Sequence, residues 1–373
     1  MSDPALDALI DQVRAARAAK TPLNICGGGS KAFYGGLPQG ATLDLRPLAG
    51  ISSYEPSELV VTVRAGTPLA TLEAALAAQG QCLPFEPPRF NANATNIGTV
   101  GGTVGGTVGG MVAAGLAGPA RAAVGGVRDY VLGATLLNGQ AQVLSFGGQV
   151  MKNVAGYDVS RLLAGSLGVL GVICEVSLKV LPLPVASATL RFEMTEAAAL
   201  KLLNTWGGQP LPVNASAWWD GMLVLRLCGA AAAVQSASRR LGGEPVDATL
   251  ATAFWQGLRD HSDEFFSNAQ AAVDHGATLW RLAVPQTAPP LGLSGEQLVE
   301  WGGGQRWVVT TAAASTLRDA AARVGGHATA FRGGLRSDVF APLSAPLARL
   351  HRDLKAAFDP DGIFNPGRLV HGL

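Results

Sequence analysis

The chain has 373 residues and a formal charge of +1 at pH 7, from 28 Lys and Arg against 27 Asp and Glu. The length allows two or three domains, and the balanced charge excludes the strongly basic surface that nucleic acid or an anionic membrane would require. The four cysteines, Cys26, Cys82, Cys174 and Cys228, lie far apart, which excludes a CxxC pair and a cysteine run for an iron–sulfur cluster.

The N-terminal segment indicates the cellular compartment. Residues 5–19 are predicted to form a helix. Because Asp3, Asp7 and Asp11 are spaced along it, this segment lacks the basic start and the apolar core of a signal peptide. Residues 91–120 carry no charge, but Gly, Thr and Asn are too abundant there for a membrane-spanning helix. We therefore expect a cytoplasmic protein with separate reduced thiols and no transmembrane segment.

A glycine loop follows the first predicted strand, which ends at Cys26. The loop reads Gly27-Gly28-Gly29-Ser30-Lys31, and a strand that runs into such a loop is a layout used to hold phosphates. The Walker pattern fails because Lys31 is followed by Ala32 rather than Ser or Thr. The Rossmann pattern also fails, because turn residues rather than a helix follow the third glycine.

A second glycine tract contains the unit Thr-Val-Gly-Gly three times in succession, from Thr99 to Gly110. Only the third copy, Thr107 to Gly110, continues directly into Met111. Strands are predicted on both sides of this tract, at 59–64, 131–137, 141–145 and 172–180. A helix is predicted with Thr67 as its N-cap and Pro68 in its first turn, and Gly80 ends it. Asn138-Gly139 predicts a hairpin between two of the strands.

The composition changes near residue 186, where Trp and Ala increase and glycine loops become fewer. Alternating strands and helices predict an α+β unit with a mostly antiparallel sheet. The predicted strands are 189–193, 279–284 and 306–311, with a hairpin at Asp220-Gly221, and the predicted helices are 196–206, 230–241 and 315–324. A final amphipathic helix carries Leu343, Leu347, Leu350 and Leu354, and the turns after it predict a tail pinned against another surface.

Several motifs together resemble one known family. They are Glu86-Pro87-Pro88, Gly109 to Gly115, Arg128-Asp129, Lys152 to Asp158, Gly165 to Ile173 and Asn365-Pro366-Gly367-Arg368. In this combination the chain resembles the FAD-binding E-subunit family of bacterial glycolate oxidases, which belongs to the vanillyl-alcohol oxidase, or PCMH-type, flavoproteins. The resemblance covers essentially the whole chain and is most specific at Lys152–Asp158 and Gly165–Ile173.

The resemblance implies an α+β fold with three parts. A PCMH-type FAD-binding domain of two subdomains would occupy residues 1–184, a cap domain 185–330, and a C-terminal helix and tail, 331–373, would return to the FAD domain. The implied cofactor is FAD. We expect it to be bound non-covalently, because Ser30 and Gly109 to Met111 stand in the loops where some relatives carry a His or Cys, and because Cys26 is interpreted as a core thiol.

The same resemblance implies the cofactor contacts. Gly27, Gly28, Gly29 and Ser30 would bind the pyrophosphate, Gly168 and Ile173 the adenosine half, and Asn365 would lie beside the isoalloxazine. The residues that would line the flavin are Pro87, Thr107, Val108, Gly109, Gly110, Ala113 and Gly115. Two alternatives stay open: Lys152 is either a cation near the flavin or part of a solvated loop, and Arg128-Asp129 either reaches the cofactor or forms a structural ion pair.

The catalytic residues are not evident from the sequence. The five histidines stand alone, no metal site is predicted, and His327 is only a weak candidate by its position after a predicted helix. The resemblance implies a subunit that passes electrons from glycolate, or another small 2-hydroxyacid, through flavin to a catalytic flavoprotein subunit and an iron–sulfur subunit. Peripheral membrane association would then occur only through those partners. The alternatives are a self-sufficient D-2-hydroxyacid dehydrogenase and a non-catalytic assembly subunit.

Overall fold

The computed structural model describes residues 3–90, 106–148, 158–334 and 337–370. The first half contains these elements: α1 (Pro4–Ala19), β1 (Leu23–Cys26), β2 (Ala41–Asp44), β3 (Ile51–Glu55), β4 (Val60–Arg64), α2 (Leu69–Ala77), β5 (Gln81–Cys82), α3 (Val108–Ala114), α4 (Arg121–Val124), α5 (Val127–Tyr130), β6 (Val131–Leu137), β7 (Val143–Gly147), α6 (Val159–Leu162), β8 (Val172–Lys179) and β9 (Leu181–Pro182). Among the helices of these ranges, none is long and apolar enough to cross a membrane.

The second half continues with a larger share of helix. Its elements are β10 (Ala186–Glu193), α7 (Glu196–Gly207), β11 (Val213–Trp219), β12 (Met222–Gly229), α8 (Ala231–Leu241), β13 (Glu244–Pro245), α9 (Ala248–Asp260), α10 (Glu264–Asp274), β14 (Thr278–Ala283), β15 (Glu296–Glu300), β16 (Gln305–Thr310), α11 (Ala314–Arg323), β17 (His327–Arg332) and α12 (Ala345–Phe358).

Three sheets build the described part of the first half, the smallest being the antiparallel pair of β5 and β9. β1 and β2 form a parallel pair, and a five-stranded antiparallel sheet has the order β3-β4-β8-β6-β7. The central strand β8 is buried along most of its length, which matches its Val-rich sequence. The predicted hairpin at Asn138 is present between β6 and β7. The Asn138 side-chain oxygen accepts hydrogen bonds from the backbone N–H groups of Gln140 and Gln142.

One antiparallel sheet of eight strands dominates the second half, in the order β13-β10-β12-β11-β15-β16-β14-β17. One face carries α7, α8 and α11, and the other face packs on α9, α10 and aromatic residues of the first half, including Phe33 and Phe90. Successive side chains of β11 point to opposite faces of the sheet. Trp218 is half-buried on the face with α7 and α8, and Trp219 is half-buried on the face with α9 and α10.

The two halves are joined by polar contacts as well. Arg226 donates to Glu86 at 2.7 Å, and the Trp301 indole N–H donates to the Gly118 carbonyl at 3.1 Å. The predicted fold class, α+β with a mostly antiparallel second sheet, is confirmed. The sequence analysis did not include α9, α10, β15 or β17.

The C-terminal helix differs from the prediction. Leu347 and Leu350 are 49% and 54% exposed, and the buried residue of α12 is Lys355. Its amine donates to the carbonyls of Val169 and Phe364 and to the Asp359 carboxylate, each at 2.7 Å. Leu354 and Phe358 pack half-buried against the core of the first half. The helix end is therefore held by the Lys355 anchor together with these two side chains, whereas Leu347 and Leu350 face solvent. The tail after α12 lies against β1, where Phe364 forms a parallel bridge with Leu23.

Candidate functional site

A groove on the first half of the chain collects residues mainly from four separate segments. They come from the loop after β1, from the first two turns of α3, and from segments at 167–173 and 365–368. The residues that line the groove are Asn24, Ile25, Cys26, Gly27, Gly28, Gly29, Ser30, Lys31, Ala32, Pro38, Leu45, Gly106, Thr107, Gly109, Gly110, Ala113, Ala114, Leu167, Gly168, Gly171, Ile173, Asn365 and Arg368.

The loop after β1 offers backbone N–H groups to the groove. Among the hydrogen bonds of the described residues, the N–H groups of Gly27, Gly28, Ser30 and Lys31 donate to no protein acceptor. Gly29 has φ +73°, a left-handed conformation that glycine adopts readily. Several unused donors at one bend are the arrangement that binds phosphate oxygens, so the loop fits a pyrophosphate.

Helix α3 supplies the opposite wall. Thr107 is its N-cap, and the Thr107 hydroxyl accepts from the Gly110 N–H at 3.3 Å. The N–H groups of Val108 and Gly109 donate to the Thr67 and Ala65 carbonyls, so the protein already uses the donors of this first turn. The wall is therefore a surface of small residues, which allows a flat aromatic ring to approach the backbone closely.

The C-terminal tail closes one side of the groove. Asn365 accepts from the Ile25 N–H at 2.8 Å and donates to the Leu167 carbonyl at 2.7 Å, so it joins β1 to the 167–173 segment. The Arg368 guanidinium donates to the carbonyls of Ala32, Tyr34 and Gly36. The tail therefore fixes both ends of the glycine loop.

Lys31 places an amine beside the unused loop donors. Its Nζ atom lies 3.5 Å from the Ser30 hydroxyl and 5.6 Å from the centre of the Phe90 ring. Burial lowers the pKa of the Lys31 amine to about 8, although Asp260 and Glu73 act in the opposite direction. A cation in a partly desolvated position gains most from an anionic ligand, so this residue also fits a pyrophosphate.

Cys26 lines the groove and is half-buried, so it is more than the core thiol that the sequence suggested. Its thiol donates to the Gly27 carbonyl at 3.3 Å. Burial raises the pKa of the Cys26 thiol and Asp44 raises it further, while a hydrogen bond from the Gly29 backbone has the opposite effect. The raised pKa keeps the sulfur protonated and poorly nucleophilic at neutral pH.

Most of the predicted contact residues do line this groove. They are Gly27, Gly28, Gly29, Ser30, Thr107, Gly109, Gly110, Ala113, Gly168, Ile173 and Asn365. Pro87 and Val108 are buried elsewhere, Gly115 faces a different cavity, and Lys152 lies outside the described residues. The sequence analysis missed Lys31 and Arg368 as groove residues, although both belong to motifs that it quoted.

The remaining candidates lie outside the groove. Asp129 accepts from the Gly126 N–H at the start of α5, and among the ion pairs of the described ranges it has none with Arg128. His327 begins β17 and faces a separate cleft, where partial burial and the charge of Arg281 lower the pKa of the imidazole.

Comparison with known proteins supports a cofactor site in this part of the chain. A family model described as an FAD binding domain matches residues 5–147. Two crystal structures of alkyldihydroxyacetonephosphate synthase share the fold, with TM-scores of 0.65 over 96% of this chain and 74–75% of theirs, at 14–15% identity. Fold and groove together define an FAD-binding flavoprotein, with FAD as its cofactor.

Sequence relatives narrow the class to one family. The glycolate oxidase subunit GlcE of Escherichia coli (strain K12) is 48% identical over 366 residues, which cover 98% of this chain and 97% of that protein. The chain belongs to the GlcE family of FAD-dependent oxidoreductases. The glycolate oxidase subunit GlcD of Bacillus subtilis (strain 168) is 32% identical over 51% of this chain and 37% of its own length.

Proposed function

We propose that the chain is the FAD-binding subunit of a glycolate-oxidising complex, and that it relays electrons to a catalytic flavoprotein subunit and an iron–sulfur subunit. The observation that carries this proposal is the 48% identity to a glycolate oxidase subunit along almost the entire chain. We further propose a cytoplasmic location, in line with the four free thiols.

Different groove residues would bind different parts of FAD. The unused N–H groups of Gly27, Gly28 and Ser30, with the Lys31 amine, would bind the pyrophosphate oxygens. The small residues Gly109, Gly110 and Ala113 would lie along the flavin, and Gly168 and Ile173 along the adenosine half. Asn365 would keep the tail beside the ring through its bonds to β1 and the 167–173 segment.

The chemistry of 2-hydroxyacid oxidation sets what the complex must supply. Glycolate loses a hydride from carbon and a proton from its hydroxyl group to become glyoxylate, and bound FAD supplies the two-electron acceptor for such a hydride. Among the described residues that line the groove, none is a histidine or a carboxylate that could accept the hydroxyl proton. We therefore propose that proton removal takes place in a partner subunit and that this chain carries the electron pair onward.

Purification of the chain alone and together with its two partner subunits tests the proposal. We expect bound FAD in the isolated chain, no reduction of that FAD by glycolate, and glycolate-dependent dye reduction once the partners are present. A chain that neither retains nor rebinds FAD would contradict the proposal and favour an assembly subunit. Reduction of its FAD by glycolate or D-lactate without partners would instead favour a self-sufficient dehydrogenase.

A charge placed in the loop provides a sharper version of the experiment. Gly28→Asp adds a carboxylate beside the proposed pyrophosphate site, so FAD content and complex activity should fall together. Gly207→Asp is the matched control, because Gly207 is the last residue of helix α7, outside the groove, and an added Cβ atom there meets nothing within 4 Å. Equal FAD content in the two variants would show that the loop does not bind the pyrophosphate.

A further inference from the structure

A second cavity lies between the eight-stranded sheet and the segment that follows α3, with a volume of about 590 Å³. We call it the interdomain cleft. Its lining residues are Gly115, Ala117, Arg121, Ala122, Arg281, Ala283, Val284, Pro285, Gln286, Trp301, Gly304, Gln305, Gly325, Gly326 and His327. The volume falls within the range of small-molecule sites, about 300–1,000 Å³, and none of these residues also lines the FAD groove.

Strand register explains why several polar side chains share this cleft. Ala283 of β14 is paired with Gln305 of β16 on one side and with His327 of β17 on the other. Arg281 lies two residues before Ala283 and so points to the same face of the sheet. The sheet therefore presents Arg281, Gln305 and His327 together, and the first half of the chain brings Arg121 towards them.

The cleft is cationic. The described residues of its lining include two arginines and a histidine, and none of them is Asp or Glu. Within the described residues neither Arg121 nor Arg281 has a carboxylate within ion-pair distance; Arg121 lies over the Trp301 ring at 4.6 Å, and Arg281 donates to the Tyr34 hydroxyl at 3.0 Å.

The two guanidinium groups also affect each other. Partial desolvation lowers the pKa of Arg121, and the positive charge of Arg281 lowers it further, although Asp129 has the opposite effect. An anion between the two arginines would relieve this repulsion, and the planar guanidinium groups match a carboxylate well.

The rest of the lining argues for an organic anion rather than an inorganic one. Ala117, Val284, Pro285 and Trp301 give the cleft apolar walls beside its charged end. An inorganic ion would gain nothing from these walls, whereas a small carboxylic acid would place its carbon chain against them. The side of the cleft at Pro285 and Gln286 is exposed, so a ligand can enter from solvent.

We propose that the interdomain cleft binds a small organic carboxylate through Arg121 and Arg281. The site is separate from the FAD groove and does not depend on the proposed electron-transfer function. Its ligand would bridge the cap sheet and the FAD-binding half, and would therefore favour the arrangement in which the two halves are packed together.

Calorimetric titration of the full chain with succinate tests this proposal, in both the FAD-loaded and the FAD-free protein. We expect succinate to bind both forms, the neutral analogue succinamide to bind neither, and inorganic phosphate to bind more weakly than succinate. Arg121→Gln should weaken succinate binding about tenfold, the size expected for one charge-assisted hydrogen bond. Arg239→Gln, at an exposed arginine of α8, is the matched control and should leave the affinity unchanged.

Several outcomes would overturn the proposal. Equal binding of succinamide would show that charge plays no part, and tighter binding of phosphate would show that the apolar walls play none. Binding only to the FAD-loaded form would locate the anion at the flavin instead of the cleft. Because Arg281 is half-buried against Tyr34, Arg281→Gln is interpreted only if circular dichroism shows the native fold, whereas Arg121 is exposed and its variant decides the result alone.

Discussion

Gly27 and Thr107 are in such close contact that a Cβ atom built on Gly27 would lie 2.3 Å from the Thr107 Oγ1 atom. The contact joins the glycine loop to the N-cap of α3, and both residues line the FAD groove. Any side chain at position 27 must therefore separate the two walls of the groove. Glycine is required at position 27 because the loop approaches Thr107 closely. Backbone conformation does not require it, since the φ angle of Gly27 is not positive.

Gly27→Ala should lower the free energy of unfolding by about 1–3 kcal/mol, as overpacking usually does, and should weaken FAD binding. Thr107→Ala removes the clashing atom at the cost of a helix cap, about 1 kcal/mol. In a double-mutant cycle measured by urea unfolding, the double variant should be more stable than the sum of the single effects predicts. Strict additivity would show that the two residues are not in contact.

The third Thr-Val-Gly-Gly copy should be the functional one. A Cβ atom on Gly109 would lie 2.6 Å from the Ala65 Cβ atom, so Gly109→Val should displace α3 and abolish FAD binding. Deletion of residues 99–106 should instead preserve FAD binding, because a loop shortened by eight residues changes closure entropy little. It also leaves Gly98 before Thr107, in the position where Gly106 now has φ +78°. FAD absorbance after gel filtration distinguishes the two results.

FAD affinity should depend on pH through Lys31. Its amine pKa is lowered to about 8 by burial, and a bound pyrophosphate would raise it again. Binding should therefore be tightest below pH 8 and weaken as the pH rises through 8. Lys31→Met should weaken FAD binding about tenfold at pH 7 and remove the dependence between pH 7 and 9. Lys201→Met, at an exposed site on α7, should behave as the unaltered protein.

Lys31→Met, which weakens FAD binding, should have a favourable effect on the stability of the FAD-free protein. Because the folded-state pKa of Lys31 is below the unfolded value, the folded state is penalised as the pH falls below the unfolded pKa, and this penalty is fully present at pH 7. Lys31→Met should accordingly stabilise the FAD-free chain at pH 7. A variant that is less stable without FAD would show that Lys31 has a structural role.

The buried amine of Lys355 should be essential for the C-terminal tail. Lys355→Met removes the cationic partner of the buried Asp359 carboxylate, which, among the described residues, keeps only the N–H groups of Ile363 and Phe364. This should cost about 3–5 kcal/mol and should release FAD as the tail detaches from β1. The control is Arg349→Met on the same helix, where an exposed ion pair to Asp353 at 3.7 Å should contribute less than about 1 kcal/mol. Thermal unfolding with FAD fluorescence records both effects; equal costs for the two variants would contradict the assignment.

Local patterns were sufficient to predict much of the fold. The hairpin at Asn138, the helices α7, α8 and α11 and the glycine loop after β1 follow from turn residues and periodicity within short windows, whereas α9 and α10 were missed. The leucines of α12 show the limit of that reasoning: Leu354 packs on the core as helical spacing suggested, but Leu347 and Leu350 are exposed and the fully buried residue is Lys355. Its three acceptors come from residues 169, 359 and 364, and no periodic pattern reports such a cluster.

The same limit applies to the candidate site. The glycines of the loop could be identified from their density, whereas the groove role of Arg368 depends on contacts more than 330 residues away in sequence. Arg121 and Arg281 gave no signal at all, because their common cleft results from strand register and from the packing of two halves of the chain.

The tail contacts have a consequence for biosynthesis. Asn365 and Arg368 hold β1 and the glycine loop, which were synthesised more than 300 residues earlier. The groove therefore reaches its final shape only after residues 365–368 have left the ribosome. A nascent or truncated chain that stops before residue 365 should accordingly not compete for FAD.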